Sequence, residues 1–145
     1  LQALDNDWSV LVSASGQVAS DPLFSSEEFG YGGQGFGRAF DSSELVGDHG
    51  MAGSLELRYK GWSVPEAYTL SPYAFYDIGR VWNMDTAQEA RATASSIGAG
   101  VRLSTDFRLN ANLGVAFPLI RNVGTPIYGG SGRSPRLLFE VSQSF

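Results

Sequence analysis

The chain has 145 residues, one domain's worth, with a formal net charge of −5, 18 glycines, a single lysine (Lys60) and no cysteine. Missing cysteine excludes a disulfide scaffold and thiolate metal sites, and an acidic chain without a basic stripe is no general nucleic-acid binder. The longest apolar run, Val115 to Ile120, is broken by Pro118, which excludes a membrane-spanning helix of about 18 apolar residues but not a strand-built span of about 9–11.

Period-two alternation dominates the chain and predicts six strands. The first, near 8–19, sorts Trp8, Val10, Val12 and Ala14 from Ser9, Leu11, Ser13, Ser15 and Gln17. A long connection over 20–50 follows, with a glycine-crowded centre, GYGGQGFGRAF, at Gly30–Phe40. The second strand, near 51–60, opposes Met51, Leu55, Leu57 and Tyr59 to Ala52, Ser54, Glu56 and Arg58. The third, near 72–82, opposes Ala74, Tyr76, Ile78 and Trp82 to Tyr73, Phe75, Asp77 and Gly79. The fourth, near 94–103, sets Ile97, Ala99, Val101 and Leu103 against Ser96, Gly98, Gly100 and Arg102. In the fifth, near 107–119, Leu109, Ala111, Leu113, Val115 and Phe117 oppose Arg108, Asn110, Asn112 and Gly114. The last, near 136–145, sets Leu137, Phe139, Val141 and Phe145 against Leu138, Glu140, Ser142 and Ser144.

Alternation alone fits a soluble ligand-binding β-barrel or sandwich as well as a membrane barrel. Three details favour the membrane. The polar faces carry glycine, serine and asparagine instead of a lysine-rich surface. Aromatics gather near strand ends, at Trp8, Tyr59, Trp62, Trp82, Phe107 and Phe145. Connections at 20–50, 83–93 and 121–135 are long and share one side, whereas those at 60–72 and 104–106 are shorter and share the other. Six strands cannot close a membrane barrel, which needs about eight or more, and an open sheet edge is not viable in lipid. The expectation is the C-terminal part of a larger barrel. Leu1 in place of methionine fits a mature product or a fragment.

Other motifs carry less. Gly30–Gly35 matches G-x-G-x-x-G, but no strand–helix context surrounds it, so nucleotide binding is not expected. His49 is the only histidine, which leaves no credible catalytic cluster, and no catalytic residue is assigned. Glu44 and Asp48 beside it could ligate a cation, but turn capping is the plainer reading, and neither metal nor cofactor is expected. Glu27 and Glu28, adjacent on an extended segment, point to opposite sides. Glu56, Arg58, Arg102, Arg108 and Glu140 on the polar faces are expected to form a hydrogen-bonded network that supports the loop.

With these elements in order, the chain resembles the two-partner-secretion outer-membrane transporters, the haemolysin/filamentous-haemagglutinin secretion-activation family. The resemblance runs from about Trp8 to Phe145. It rests on Gly16–Gln17, Leu23–Gly33 (LFSSEEFGYGG), Gly37–Phe40 (GRAF) and Glu44–Gly50 (ELVGDHG). It continues through Leu55–Tyr59 (LELRY), the F-x-D-x-G element Phe75–Gly79, Ala116–Leu119 (AFPL) and the terminal Phe145. It implies an all-β fold: the final six antiparallel strands of a transmembrane β-barrel of about sixteen strands, with a long loop entering the lumen. By motif, Arg38 at the loop tip, flanked by Gly37, Ala39 and Phe40, would contact Asp77 of the strand motif, flanked by Phe75 and Gly79. Ala39 stands where the family usually has glycine; at positive φ alanine would cost about 1 kcal/mol there. The resemblance further implies a bacterial outer-membrane location, contact with outer-membrane lipid, export of a large unfolded exoprotein, and POTRA domains upstream. Assembly and insertion of other barrels, by a factor of the same superfamily, is the alternative. The last strand, with Phe139, Val141 and Phe145, reads as the signal recognised by the barrel assembly machinery through strand addition.

Overall fold

A computed structural model describes residues 2–3, 7–63, 68–84, 91–122 and 134–144. Phe145 and most of the 121–135 connection lie outside the described residues. No helix occurs among the described residues, and hence none long and apolar enough to cross a membrane.

Six long strands carry the fold: β2 (Trp8–Gln17), β5 (His49–Tyr59), β7 (Tyr68–Trp82), β8 (Arg91–Thr105), β9 (Leu109–Asn122) and β10 (Arg136–Gln143). Each pairs antiparallel with the next, so the sheet is an unbroken meander. Short β1 (Gln2–Ala3) adds to β2, and β6 (Trp62–Ser63) adds to β7. Within the long loop, β3 (Phe29–Tyr31) and β4 (Leu45–Gly47) form their own antiparallel pair. One irregularity interrupts the β8–β9 ladder: Ser95 faces Ile120 while Ser96 faces Pro118, leaving Leu119 as the extra residue of a bulge.

The third and fourth strands run longer than the sequence reading, whereas the first ends at Gln17 and the last at Gln143. The fifth strand starts at Leu109, because residues 106–108 make the turn. The Arg108 N–H donates to the Thr105 carbonyl at 3.0 Å with Arg108 at φ 59°. Arg108 is therefore an exposed turn residue and no member of the polar-face network.

The sheet inverts the soluble pattern. Leu113, Leu137 and Phe139 are 60%, 79% and 72% exposed, and Leu55, Ile97, Val101 and Phe117 on the same face are exposed too. The buried face belongs to Glu56, Phe75, Asp77, Ala94, Ser96 and Ala116. What covers it is the loop of residues 18–48. Tyr31, Phe40 and Leu45 from the loop pack with Ala52, Val81, Ala92 and Ala94 of the sheet. A second cluster, Tyr73, Phe75 and Ala116, takes Ala39 and Leu138 against it. Valines and leucines of the strands are not gathered into a closed interior.

Candidate functional site

The loop reaches the sheet by seating rings on glycines. Tyr31, fully buried, lies over Gly79, where an added Cβ would come within 2.1 Å of the ring. Phe29 stands over Gly50 in the same way, at 2.0 Å. The same ring of Tyr31 crowds Gly37, whose φ of 78° turns the chain so that Arg38 enters pointing at the wall. Ala39 is not among the positive-φ residues. It packs against both aromatic clusters, so the loop tip carries no strain from alanine there.

Register places the acceptors. Ser54 of β5 lies opposite Asp77 of β7, and Glu56 lies opposite Phe75, which gathers hydroxyl, two carboxylates and a ring into one patch. Arg38 fills it. Its Nε donates to Asp77 Oδ2 at 3.0 Å and its Nη2 to Asp77 Oδ1 at 2.9 Å, a bidentate fork. Its backbone N–H also donates to Asp77 Oδ2 at 3.0 Å. Nη1 donates to Glu56 Oε2 at 2.5 Å, and Nη2 also reaches Ser54 Oγ at 3.0 Å. The Ser54 hydroxyl donates to Asp77 Oδ1 at 2.7 Å. The guanidinium carbon sits 3.5 Å from the centre of the Phe75 ring, so the cation is held from its face as well as its edge. Side-chain exposure is 12% for Arg38 and 0% for Asp77.

Electrostatics follow from this enclosure. Burial works against the Arg38 charge, but the hydrogen bonds it donates to Asp77 and Glu56 more than offset that, and its pKa lies above the ordinary value. Burial, then the charge of Asp77, pushes the Tyr31 phenol up, so it stays neutral.

Beyond Arg38 the network extends across the sheet. Glu56 Oε1 accepts from Arg58 Nε at 2.6 Å and from Arg102 Nη2 at 2.7 Å. Arg102 stacks on Tyr73 at 4.1 Å, and the Tyr73 hydroxyl donates to Asn112 Oδ1 at 2.9 Å. From β10, Arg136 donates to the Phe40 carbonyl and to Asp41. Thus Glu56, Arg58 and Arg102 meet around the loop tip, while Glu140 stays exposed on β10. Sequence reasoning missed Ser54, Tyr31, Asn112 and Arg136 as partners. The glycines at 50 and 79 were the available signals that rings would come close.

Asp48 sits at the loop's base, where its two carboxylate oxygens take backbone donors. It accepts the Leu23 N–H at 2.6 Å and the Met84 N–H at 2.7 Å, tying the start of the loop to the chain after β7. Those backbone donors hold its carboxyl below the usual carboxylate range. His49 Nδ1 accepts the Ala19 N–H at 3.2 Å. No group of three or more metal-ligating side chains occurs among the described residues.

The geometry amounts to a loop clamped by charge onto the polar face of a sheet whose other face is bare and greasy. The model for Haemolysin secretion/activation protein ShlB/FhaC/HecB matches residues 1–103 of the 145, a span that contains both Arg38 and Asp77. No curated protein and no solved structure matches the chain. The chain belongs to the ShlB/FhaC/HecB haemolysin secretion/activation family, the two-partner-secretion transporters of the outer membrane.

Proposed function

We propose that residues 1–145 form the C-terminal six strands of an outer-membrane barrel of about sixteen strands, a pore that exports a large unfolded exoprotein of haemolysin or adhesin type. In this reading the bare face of the sheet meets lipid and the loop-covered face lines a water-filled lumen. The ends of β2 and β7 and the starts of β5 and β8 lie outside, and the 106–108 turn lies in the periplasm. The loop of residues 18–48 folds into the lumen, and Arg38 on Asp77 pins it there. The pore performs no chemistry on its cargo. Barrel assembly machinery would take up β10 by strand addition, reading Phe139 and Val141 as alternate side chains and Phe145 beyond the strand.

The observation that carries this reading is the inversion of the sheet. A charged, hydrogen-bonded patch is buried beneath a loop, while leucine, isoleucine and phenylalanine stand uncovered opposite. In water such a surface would be an aggregation hazard; in lipid it is the required one. The bare face also argues against the soluble ligand-binding reading.

The test is secretion of a cognate exoprotein by cells carrying the full-length transporter. Arg38→Ala and Asp77→Ala are each expected to cut the exoprotein in the medium severely, at unchanged transporter level in the outer membrane. Wild-type secretion by both variants would refute a role for the clamp in export.

A further inference from the structure

Among the described strand residues, charges on the bare face are confined to one corner. Of the described strand side chains there, only Arg80 on β7 and Arg91 on β8 are charged, and no carboxylate accompanies them. Register pairs Arg80 with Thr93 and Trp82 with Arg91, which makes the two arginines diagonal neighbours, about 7–8 Å apart at the backbone. Arg80 lies 5.2 Å from the centre of the Trp82 ring. Its Nε is buried yet has no hydrogen-bond partner among the described residues.

Position along the strands says what the two arginines would meet. At the opposite end of the same face the Tyr59 ring touches both Trp8 and Trp62, and Tyr68 stands edge-on to Phe107. From Tyr68 to Arg80 is twelve residues of one strand, roughly 40 Å of chain, which at a tilt of about 40° becomes roughly 30 Å of height. That is about the thickness of a hydrocarbon core. Arg80, Trp82 and Arg91 then stand at the far interface, where lipid phosphates lie. Guanidinium forks suit phosphate oxygens, and two of them at this spacing can share one phosphate from both sides.

We propose that Arg80 and Arg91 form a binding site for the phosphate of an outer-leaflet glycolipid, with Trp82 seating its acyl–sugar boundary. The site rests on the reading that the bare face meets lipid. It is built on the two central strand partners β7 and β8, whose neighbours on both sides are present.

The experiment uses the full-length transporter purified in detergent and titrated with bis-phosphorylated lipid A, followed by native mass spectrometry. The Arg80→Gln/Arg91→Gln pair is expected to weaken retention about tenfold or more, and the exposed Arg91→Gln alone to weaken it measurably. A dephosphorylated lipid A should bind wild type and variants alike. Equal retention of bis-phosphorylated lipid A by wild type and variants overturns the site, as does undiminished wild-type binding of the dephosphorylated form. Displacement of the lipid by inorganic phosphate at matched concentration would make it a free-anion site and overturn the lipid assignment. Heat-modifiable electrophoretic migration reports the folded barrel separately. A transporter recovered folded and soluble without detergent would refute the membrane reading itself, and this site with it.

Discussion

Removing either side of the Arg38–Asp77 clamp should release the loop tip, but not equally. Arg38→Ala leaves Asp77 fully buried with only the Ser54 hydroxyl and the residue-38 backbone N–H as donors. An uncompensated buried charge of this kind costs about 3–5 kcal/mol, and this case belongs at the upper end. Asp77→Ala leaves the guanidinium with Glu56 at 2.5 Å and the Phe75 ring, so its cost belongs near 3 kcal/mol. Since both substitutions break one interaction, the double variant should cost little more than Arg38→Ala alone, with a coupling of about 2–3 kcal/mol. Three kcal/mol raises the undocked population on the order of a hundredfold. Hydrogen exchange of the 36–41 amides in the folded full-length protein reads that population directly. Additive losses in the double variant, or wild-type exchange in the single ones, would refute the clamp.

Other perturbations follow from the same geometry. Gly79→Ala drives a methyl into the Tyr31 ring and should destabilise loop docking by about 1–3 kcal/mol, read as faster exchange over Phe29–Tyr31. Ala39→Gly, the change toward the family's usual residue, should destabilise docking by about 0.5–1 kcal/mol, because Ala39 already has an ordinary φ and fills space in both clusters. Asp48 has its folded pKa depressed, so its contribution to the loop base is complete above its unfolded value near 4 and disappears as pH falls through the folded one. Protection of the Leu23 and Met84 amides, corrected for intrinsic exchange, should therefore fall in acid, and Asp48→Asn should abolish that pH dependence.

The six long strands were legible because one face of each must be apolar wherever that face ends up, and a period of two records it. Which medium the apolar face meets was not written in the alternation itself. The composition of the other face carried that information: Ser54, Gly98 and Asn112 do not make a soluble surface. The β3–β4 pair was hidden, since Phe29–Tyr31 and Leu45–Gly47 are too short and glycine-bound to alternate. Their conformation comes from docking Phe29 and Tyr31 onto Gly50 and Gly79, a tertiary effect. Arg38 and Asp77 came into view through the family resemblance. Glu56 as a second partner for Arg38 needed the β5–β7 register, because contact 18 residues away is set by which residues lie opposite. Arg136 bonding Phe40 and Asp41 spans most of the chain and leaves no local trace.

These residues contain no cysteine, so single cysteines placed here in a full-length transporter cleared of any others can report each face of the sheet. Cysteines at Leu113, Leu137 and Phe139 should react with a lipid-phase maleimide and resist a water-soluble one, while those at Asn112 and Ser142 should do the reverse. Water-phase labelling of the first three with silence at Asn112 and Ser142 would contradict the assignment of the bare face to lipid.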